Sequence, residues 1–262
     1  MSDILLRSDA NAVASLTMNS PQKLNALSEE MLAALQSELD SIANDRSIRA
    51  VIIKGSGKAF CAGHDLKQMT AARQTEDGGK AYFNDLFATC GHLMTSITKM
   101  PQPVIAQAHG IATAAGCQLV ASCDMAVAAT GTRFGVNGVN IGLFCSTPMV
   151  ALTRNIPRKQ AFEMLTTGEF IDADKAMAFG LINRAVPPEE LDEATLALAA
   201  KVAGQLGVAV KIGKEGFYHQ ADLSLEEAYA YTGRVMAENM LFRDTENGIA
   251  AFLEKRHPEW DQ

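Results

Sequence analysis

The chain has 262 residues, 48% of them hydrophobic and 20% charged, and its formal net charge is −7. That length and mixture support one large domain or two small ones with a sizeable core, and they exclude a disordered chain. The acidic balance argues against a nucleic-acid partner. No apolar stretch reaches the roughly 18–20 residues of a membrane-spanning helix, which argues against a membrane partner.

The first residues, MSDILLRSDANA, have neither a signal peptide's apolar core nor an Arg/Ser-rich transit pattern. Ala12-Val-Ala-Ser-Leu-Thr-Met18 alternates and reads as a strand. A helix follows, with Ser28 as N-cap, Glu29 and Glu30 in its first turn, and a stripe of Met31, Leu32, Leu35, Leu39 and Ile42. Ala50-Val-Ile-Ile-Lys54 is a short buried strand, and Gly57 to Gly63 makes a turn-rich exit. A helix covers much of 80–99. Val104–Ala108 is a strand, Gly110 a turn, and a small-residue segment enters a helix around 114–122. Met125–Ala129 is another strand. After about residue 150 the pattern is almost wholly helical, with periodic segments at 158–167, 172–179, 190–206, 225–240 and 245–256. Strands alternating with helices, then a helical tail, predict an α/β core with a helical C-terminal extension. No linker separates two independent units. The last helices carry apolar faces (Leu225, Ala228, Tyr229, Tyr231, Thr232, Val235, Met236; Ile249, Phe252, Leu253) suited to packing on the core or on another subunit.

Several familiar chemistries are absent from the pattern. Gly55-Ser-Gly-Lys58 is followed by Ala59, so the hydroxyl a phosphate loop uses for Mg²⁺ is missing. There is no G-x-G-x-x-G after a strand, no H-E-x-x-H and no G-x-S-x-G. Cys61 and His64 have no second pair at metal-ligand spacing, so no metal is expected. The five cysteines (61, 90, 117, 123, 145) are odd in number and scattered, which reads as reduced thiols in a cytoplasmic protein.

Glycine and alanine cluster at two places where a strand ends and a helix begins: Phe60-Cys-Ala-Gly-His-Asp-Leu66 and His109-Gly-Ile-Ala-Thr-Ala-Ala-Gly-Cys-Gln118. Small side chains let a ligand approach the main chain. A helix start offers unpaired N–H groups and partial positive charge. Two such N–H groups converging on one oxygen form an oxyanion hole, in which one donor contributes about 3 kcal/mol. The competing reading is that the small residues serve only tight packing.

These motifs resemble the enoyl-CoA hydratase/isomerase (crotonase) superfamily from end to end. The resemblance rests on Asn19-Ser-Pro-Gln-Lys-Leu-Asn-Ala-Leu27, Lys58–Met69, Pro103–Gly110, Ala115–Asp124, Leu165-Thr-Thr-Gly168, Ala176–Ile182 and Phe252-Leu-Glu-Lys-Arg256, in that order. It implies a spiral of ββα turns over residues 1–195. A C-terminal helical region at 196–262, part of the same structural unit, would then assemble homotrimers or hexamers. It also implies that the ligand is a coenzyme A thioester bound as substrate, with no separate cofactor, and that its carbonyl is polarised by the backbone N–H groups of His64 and Ala115. The CoA moiety is expected to pass Lys23, Ala26, Ala62, His64 and Leu66, with Phe252 and Lys255 at its nucleotide end.

The resemblance assigns the two hydratase glutamates to Gln118 and Gly138, and an isomerase acid to Ser146, so all three carboxylate positions are empty. An amide orients water but does not exchange a proton at neutral pH. The nearest branch by motif is the enoyl-CoA hydratase domain-containing proteins related to a mitochondrial form in animals. His64 and Asp65 are the titratable groups nearest the expected hole. Cys145-Ser146 offers a nucleophile, while Asn137, Asn140 and Gln118 offer neutral ligands. His109 reads as structural. The expected function is a lyase or isomerase acting on acyl-CoA through an enolate-like intermediate. The alternatives are decarboxylation, thioester hydrolysis or acyl-CoA binding without turnover.

Overall fold

The computed structural model describes residues 3–260. Its elements run β1 (Leu5–Ala10), β2 (Val13–Met18), α1 (Glu29–Ala43), β3 (Ala50–Gly55), α2 (Leu66–Ala72), α3 (Lys80–Lys99), β4 (Val104–Ala108), β5 (Ile111–Thr113), α4 (Ala115–Ser122), β6 (Met125–Ala129) and β7 (Arg133–Gly135). They continue with α5 (Pro148–Asn155), α6 (Arg158–Thr167), α7 (Ala173–Phe179), β8 (Arg184–Val186), α8 (Leu191–Ala203), α9 (Gly207–Gln220), α10 (Leu225–Met240) and α11 (Arg243–Leu253). Short 3₁₀ turns join some of these, one of them at Asn137–Ile141.

One six-stranded sheet has the order β1-β2-β3-β4-β6-β8, antiparallel only between β1 and β2. β5 and β7 pair in parallel as a second, two-stranded sheet. A βαβ crossover explains the parallel pairs, because a parallel strand must return over the sheet before pairing. Strand β3 illustrates why its sequence is apolar throughout. Val51 and Ile53 face the main core, while Ala50 and Ile52 face a second cluster. That second face is covered by α8 through Leu191, Leu198, Ala199 and Ala203. A strand covered on both sides has no polar face to display.

Helix α1 begins as expected. Ser28 Oγ accepts from the Met31 N–H at 3.3 Å, and all five stripe residues are buried. The stretch after residue 150 is not wholly helical, since β8 extends the main sheet by pairing with β6. Three residues are too few to register as a period, and the pairing partner, not local pattern, makes this strand. The division expected at 195/196 falls inside α8, whose Leu191 and Leu198 bury against the same sheet face. Helix α9 was not singled out by periodicity.

A buried ion pair ties α9 to the core. Lys214 Nζ donates to Asp124 Oδ2 at 2.7 Å, to Ile97 O at 2.7 Å and to Gln102 O at 2.8 Å. Asp124 also accepts from the Val104 N–H at 2.6 Å and the Tyr218 hydroxyl at 2.8 Å. Burial pulls the Lys214 ammonium below its ordinary pKa, and Asp124 acts against that shift. All three ammonium protons are paired, so the charge is tolerated. Replacing Lys214 by Met leaves Asp124 short of a cation and two buried carbonyls without donors. We expect Lys214→Met to lose about 3–5 kcal/mol in urea unfolding. A loss below about 1 kcal/mol would mean that α9 docks through its apolar contacts alone.

Candidate active site

Three chain segments meet at the carboxyl ends of β3 and β4, and buried Asn25 clamps the first two. Its Oδ1 accepts from the Ser20 N–H at 3.0 Å, and its Nδ2 donates to Ser56 O and Ala59 O, both at 2.8 Å. Sequence reading did not single Asn25 out. Its one signal is a small polar residue inside the apolar run Leu24–Leu27. Residues 24–27 then pair with 62–64, through Ala62 N–H to Leu24 O at 3.0 Å and Leu27 N–H to Gly63 O at 2.7 Å. On the other side Cys61 N–H donates to Ile111 O at 3.1 Å, and Thr113 N–H donates to Cys61 O at 3.0 Å.

The two small-residue clusters therefore lie against each other. A Cβ on Gly116 would fall 2.2 Å from the Cys61 carbonyl oxygen, and one on Gly63 would fall 3.0 Å from Ala114 Cβ. Packing thus does account for both glycines. It also leaves a consequence at the residues beside them. Ala114, which precedes α4, adopts φ 50° and ψ −119°, a conformation costly for a residue with a Cβ. Ala115 opens α4, where the first N–H groups have no helical acceptor. Among the described residues, the N–H groups of His64 and Ala115 donate to no protein acceptor. Gly63, the chain neighbour of His64, packs on this helix start, since a Cβ there would lie 3.5 Å from Ala115 N.

The polar side chains fall into two sets. In the first every group is engaged. Asp65 is the N-cap of α2, accepting from the Lys67 N–H at 2.9 Å and from Lys23 Nζ at 2.9 Å. The Lys23 bond, assisted by the backbone N–H groups, holds its carboxyl below the usual range. His109 Nε2 lies 2.9 Å from Gly57 O, in keeping with a structural role. Asn137 Oδ1 accepts from the Thr113 hydroxyl at 2.6 Å, and Asn140 Nδ2 donates to Gly168 O at 3.4 Å. Ser146 is exposed and bonds only to Phe144 O, at 3.5 Å.

The second set is unengaged. Gln118 is 4% exposed, its Oε1 is buried without a partner, and neither end of its amide bonds to protein. His64 Nδ1 lies 3.2 Å from Leu27 O, while its Nε2 is buried and unpartnered. The ring meets Phe87 edge-on at 5.8 Å between centroids. Burial lowers the His64 pKa, so the imidazole is neutral at pH 7. All five cysteines are free and buried, and burial raises every thiol, pushing Cys61 and Cys117 to about 12. Cys145 is thereby a packing residue and not an activated nucleophile.

Gly138 is closed by backbone. A Cβ there would lie 2.2 Å from Leu143 O and 2.9 Å from Cys145 Sγ. Ala26 and Ala62 lie beside His64 along the paired segments, and Leu66 is exposed at the start of α2. Phe252 and Lys255 are elsewhere in the chain. Phe252 is 83% exposed on α11, beside a groove of about 600 Å³ walled by Leu206, Val210 and Trp260. Another depression, of about 700 Å³, lies between Phe144 and Phe162. Among the described residues no group of three or more His, Cys, Asp or Glu is placed to hold a metal ion.

Comparison with known proteins supplies the family. The family model described as enoyl-CoA hydratase/isomerase matches residues 8–262. The chain belongs to the enoyl-CoA hydratase/isomerase family. A crystal structure of enoyl-CoA hydratase from Mycobacterium smegmatis is 52% identical, with a TM-score of 0.95 over the whole of both chains. The human enoyl coenzyme A hydratase domain-containing protein 3 is 44% identical with a TM-score of 0.94, over 98% of this chain and 100% of that one. A mitochondrial protein of the same name from Xenopus laevis is 46% identical over 250 residues, covering 95% of this chain and 83% of its own. The crotonase fold expected from the motifs is the fold observed. The cytoplasmic expectation is overturned, because the frog, human and rat relatives are all named mitochondrial and point to that compartment instead. Scattered reduced cysteines distinguish a reducing from an oxidising environment, and do not separate these two compartments.

Two predictions concern this family member's site. The unfolded chain binds a proton at His64 near pH 6.5, whereas the folded chain binds it only at a lower pH. Stability therefore falls as pH drops from about 6.5 toward the folded value. Urea midpoints at pH 7 and pH 5 should separate more for the wild type than for His64→Gln, and equal separation would contradict a buried neutral imidazole. Gln118→Glu keeps the side-chain shape and should fold, whereas Gly138→Glu must displace the Leu143 carbonyl. We expect Gly138→Glu to cost about 3 kcal/mol of stability, and an unchanged melting temperature would refute the closed position.

Proposed function

We propose that this protein binds acyl-CoA thioesters and stabilises an enolate-like oxyanion between the N–H groups of His64 and Ala115. The observation that supports this reading is that the His64 and Ala115 N–H groups have no acceptor among the described residues, while a Cβ on Gly63, next to His64, would lie 3.5 Å from Ala115 N, beside the strained Ala114. Such donors are worth most in a site shielded from water. The CoA chain passes Lys23, Ala26, Ala62 and Leu66. Phe252 and Lys255, remote within one chain, meet the nucleotide end from a neighbouring subunit of a trimer or hexamer.

Carboxylate-driven hydration finds no support in the side chains. Gln118 does not carry protons, Gly138 has no room for a side chain, and Asp65 is committed to Lys23 and the α2 cap. Decarboxylation and thioester hydrolysis remain open to an oxyanion hole alone, because loss of carbon dioxide needs no base and hydrolysis needs an oriented water. The second reading is acyl-CoA binding without turnover, favoured by the same empty carboxylate positions.

The test is a panel of enoyl-, 3-hydroxyacyl-, saturated and carboxyacyl-CoA thioesters incubated with wild type and Ala115→Pro and followed by mass spectrometry. Proline removes the Ala115 N–H at a helix position that tolerates it. We expect turnover to fall by about 10²–10³-fold in the folded variant. Undiminished turnover would overturn the oxyanion assignment, and an unchanged panel with measurable binding would favour the binder.

A further inference from the structure

We infer that the imidazole of His64 is the proton acceptor of this site, with Nε2 taking a proton from the carbon next to the thioester carbonyl. The inference deepens the reading above and rests on it.

Four observations converge. First, the tautomer is defined. The Leu27 carbonyl only accepts, so Nδ1 carries the hydrogen in the 3.2 Å contact and Nε2 presents a lone pair. A backbone carbonyl that fixes Nδ1–H is the arrangement that aims a neutral imidazole as a base. Second, that lone pair is buried and unpartnered. More than nine in ten buried polar groups find a partner in folded proteins, so an orphan calls for a ligand. Gln118 Oε1, on α4, is an orphan of the same kind. Third, the residue that bears this lone pair also bears one of the two unaccepted N–H groups, so the imidazole is within one side chain of the oxygen the hole would hold. Fourth, the other titratable groups are unsuited. Asp65 is tied to Lys23, and the Cys61, Cys90, Cys117 and Cys145 thiols are raised by burial. Tyr82 of α3 is held protonated by burial and by Glu29 at the start of α1.

The step balances. The α C–H bond breaks and its proton forms the Nε2–H bond, giving an imidazolium still anchored at Leu27 O. The bonding electron pair moves into the thioester as an enolate, whose oxygen accepts from the His64 and Ala115 N–H groups. Return of the proton regenerates both partners. If the imidazolium exchanges with solvent first, the carbon is labelled. No oxidant, metal or second substrate is required.

The experiment uses butyryl-CoA in deuterium oxide, with deuterium at the α carbon read by mass spectrometry and binding read by calorimetry. Wild type should incorporate deuterium. His64→Gln keeps the backbone N–H and should lose at least about 10²-fold in exchange, with binding held within about twofold. The wild-type rate alone provides a second readout that needs no variant. It should fall on the acid side, through a pKa below the 6.5 of a free histidine, as Nε2 becomes protonated. Binding without exchange in the wild type, undiminished exchange in His64→Gln, or an acid limb at or above pH 6.5 would each overturn the inference while leaving the oxyanion reading intact. Absence of binding to the wild type would overturn that reading itself.

Discussion

The close approach of Gly116 to the Cys61 carbonyl is the constraint on which the rest depends. At 2.2 Å from that oxygen there is no space for a Cβ. The start of α4 is thereby pressed onto the exit from β3. Three further features follow from that contact. Gly63 faces Ala114, Ala114 takes up an unfavourable backbone conformation, and among the described residues the N–H groups of His64 and Ala115 are left with no protein acceptor. Strain of about 1–3 kcal/mol at Ala114 persists only because its surroundings are fixed from several directions. Asn25 fixes the 20–27 and 56–60 turns with three hydrogen bonds, and Ala114 N–H is held by Gly135 O at 2.9 Å. The packing reading and the ligand reading of the small residues are therefore not rivals. The glycines are small in order to pack, and the packing is what exposes the donors.

Beside His64 the one titratable neighbour in the chain, Asp65, is ion-paired with Lys23, and the residues at the two glutamate positions are neutral. Gln118 stands at the first position to which the family resemblance assigns a glutamate, and it retains the length of that side chain. At the second position the loss is deeper than a substitution. The 3₁₀ turn at 137–141 closes back on itself, with Leu143 N–H donating to Gly138 O at 2.9 Å, and the Leu143 carbonyl with Cys145 occupies the space a side chain would need. Restoring a carboxylate there means rebuilding the loop. The imidazole at residue 64, with its unpartnered Nε2, is then the base inferred for the site, and its basicity is limited by the same burial that keeps it uncharged.

How much of this was legible in the sequence depends on the range of the interaction concerned. The α1 stripe, its Ser28 cap and the strands β3, β4 and β6 are written in local periodicity, and local periodicity found them. The positions of His64, Ala115, Gln118 and Gly138 came from motifs in the right order. What escaped were features created by partners far away in the chain. Strand β8 has only three residues and exists because β6 offers it an edge. Lys214 meets Asp124 across 90 residues, and nothing around either residue announces the pairing. Asn25 reads as one polar residue in an apolar run until the carbonyls of Ser56 and Ala59 are seen beside it. The closure at Gly138 is set by a backbone oxygen five residues later, which residue identity does not encode.

The Lys214 network bears on the site as well as on stability. Asp124 receives the Val104 N–H at the start of β4, and Lys214 receives no freedom to leave, since Ile97 and Gln102 hold its other protons. The C-terminal end of α3, the start of β4 and the loop that follows α4 are thus joined at one buried point. These three elements carry Phe87, whose ring meets that of His64, the strand leading to the Gly110 turn, and the helix that begins at Ala115. A carboxylate paired with one ammonium and two further donors is costly to dehydrate and costly to break. Its effect is to fix the end of α3 against the loop that follows α4, the helix that carries Gln118. A backbone oxyanion site of the kind proposed gains its strength from donors that do not move when charge develops, and the Lys214 network ties α9 to the elements that would carry them.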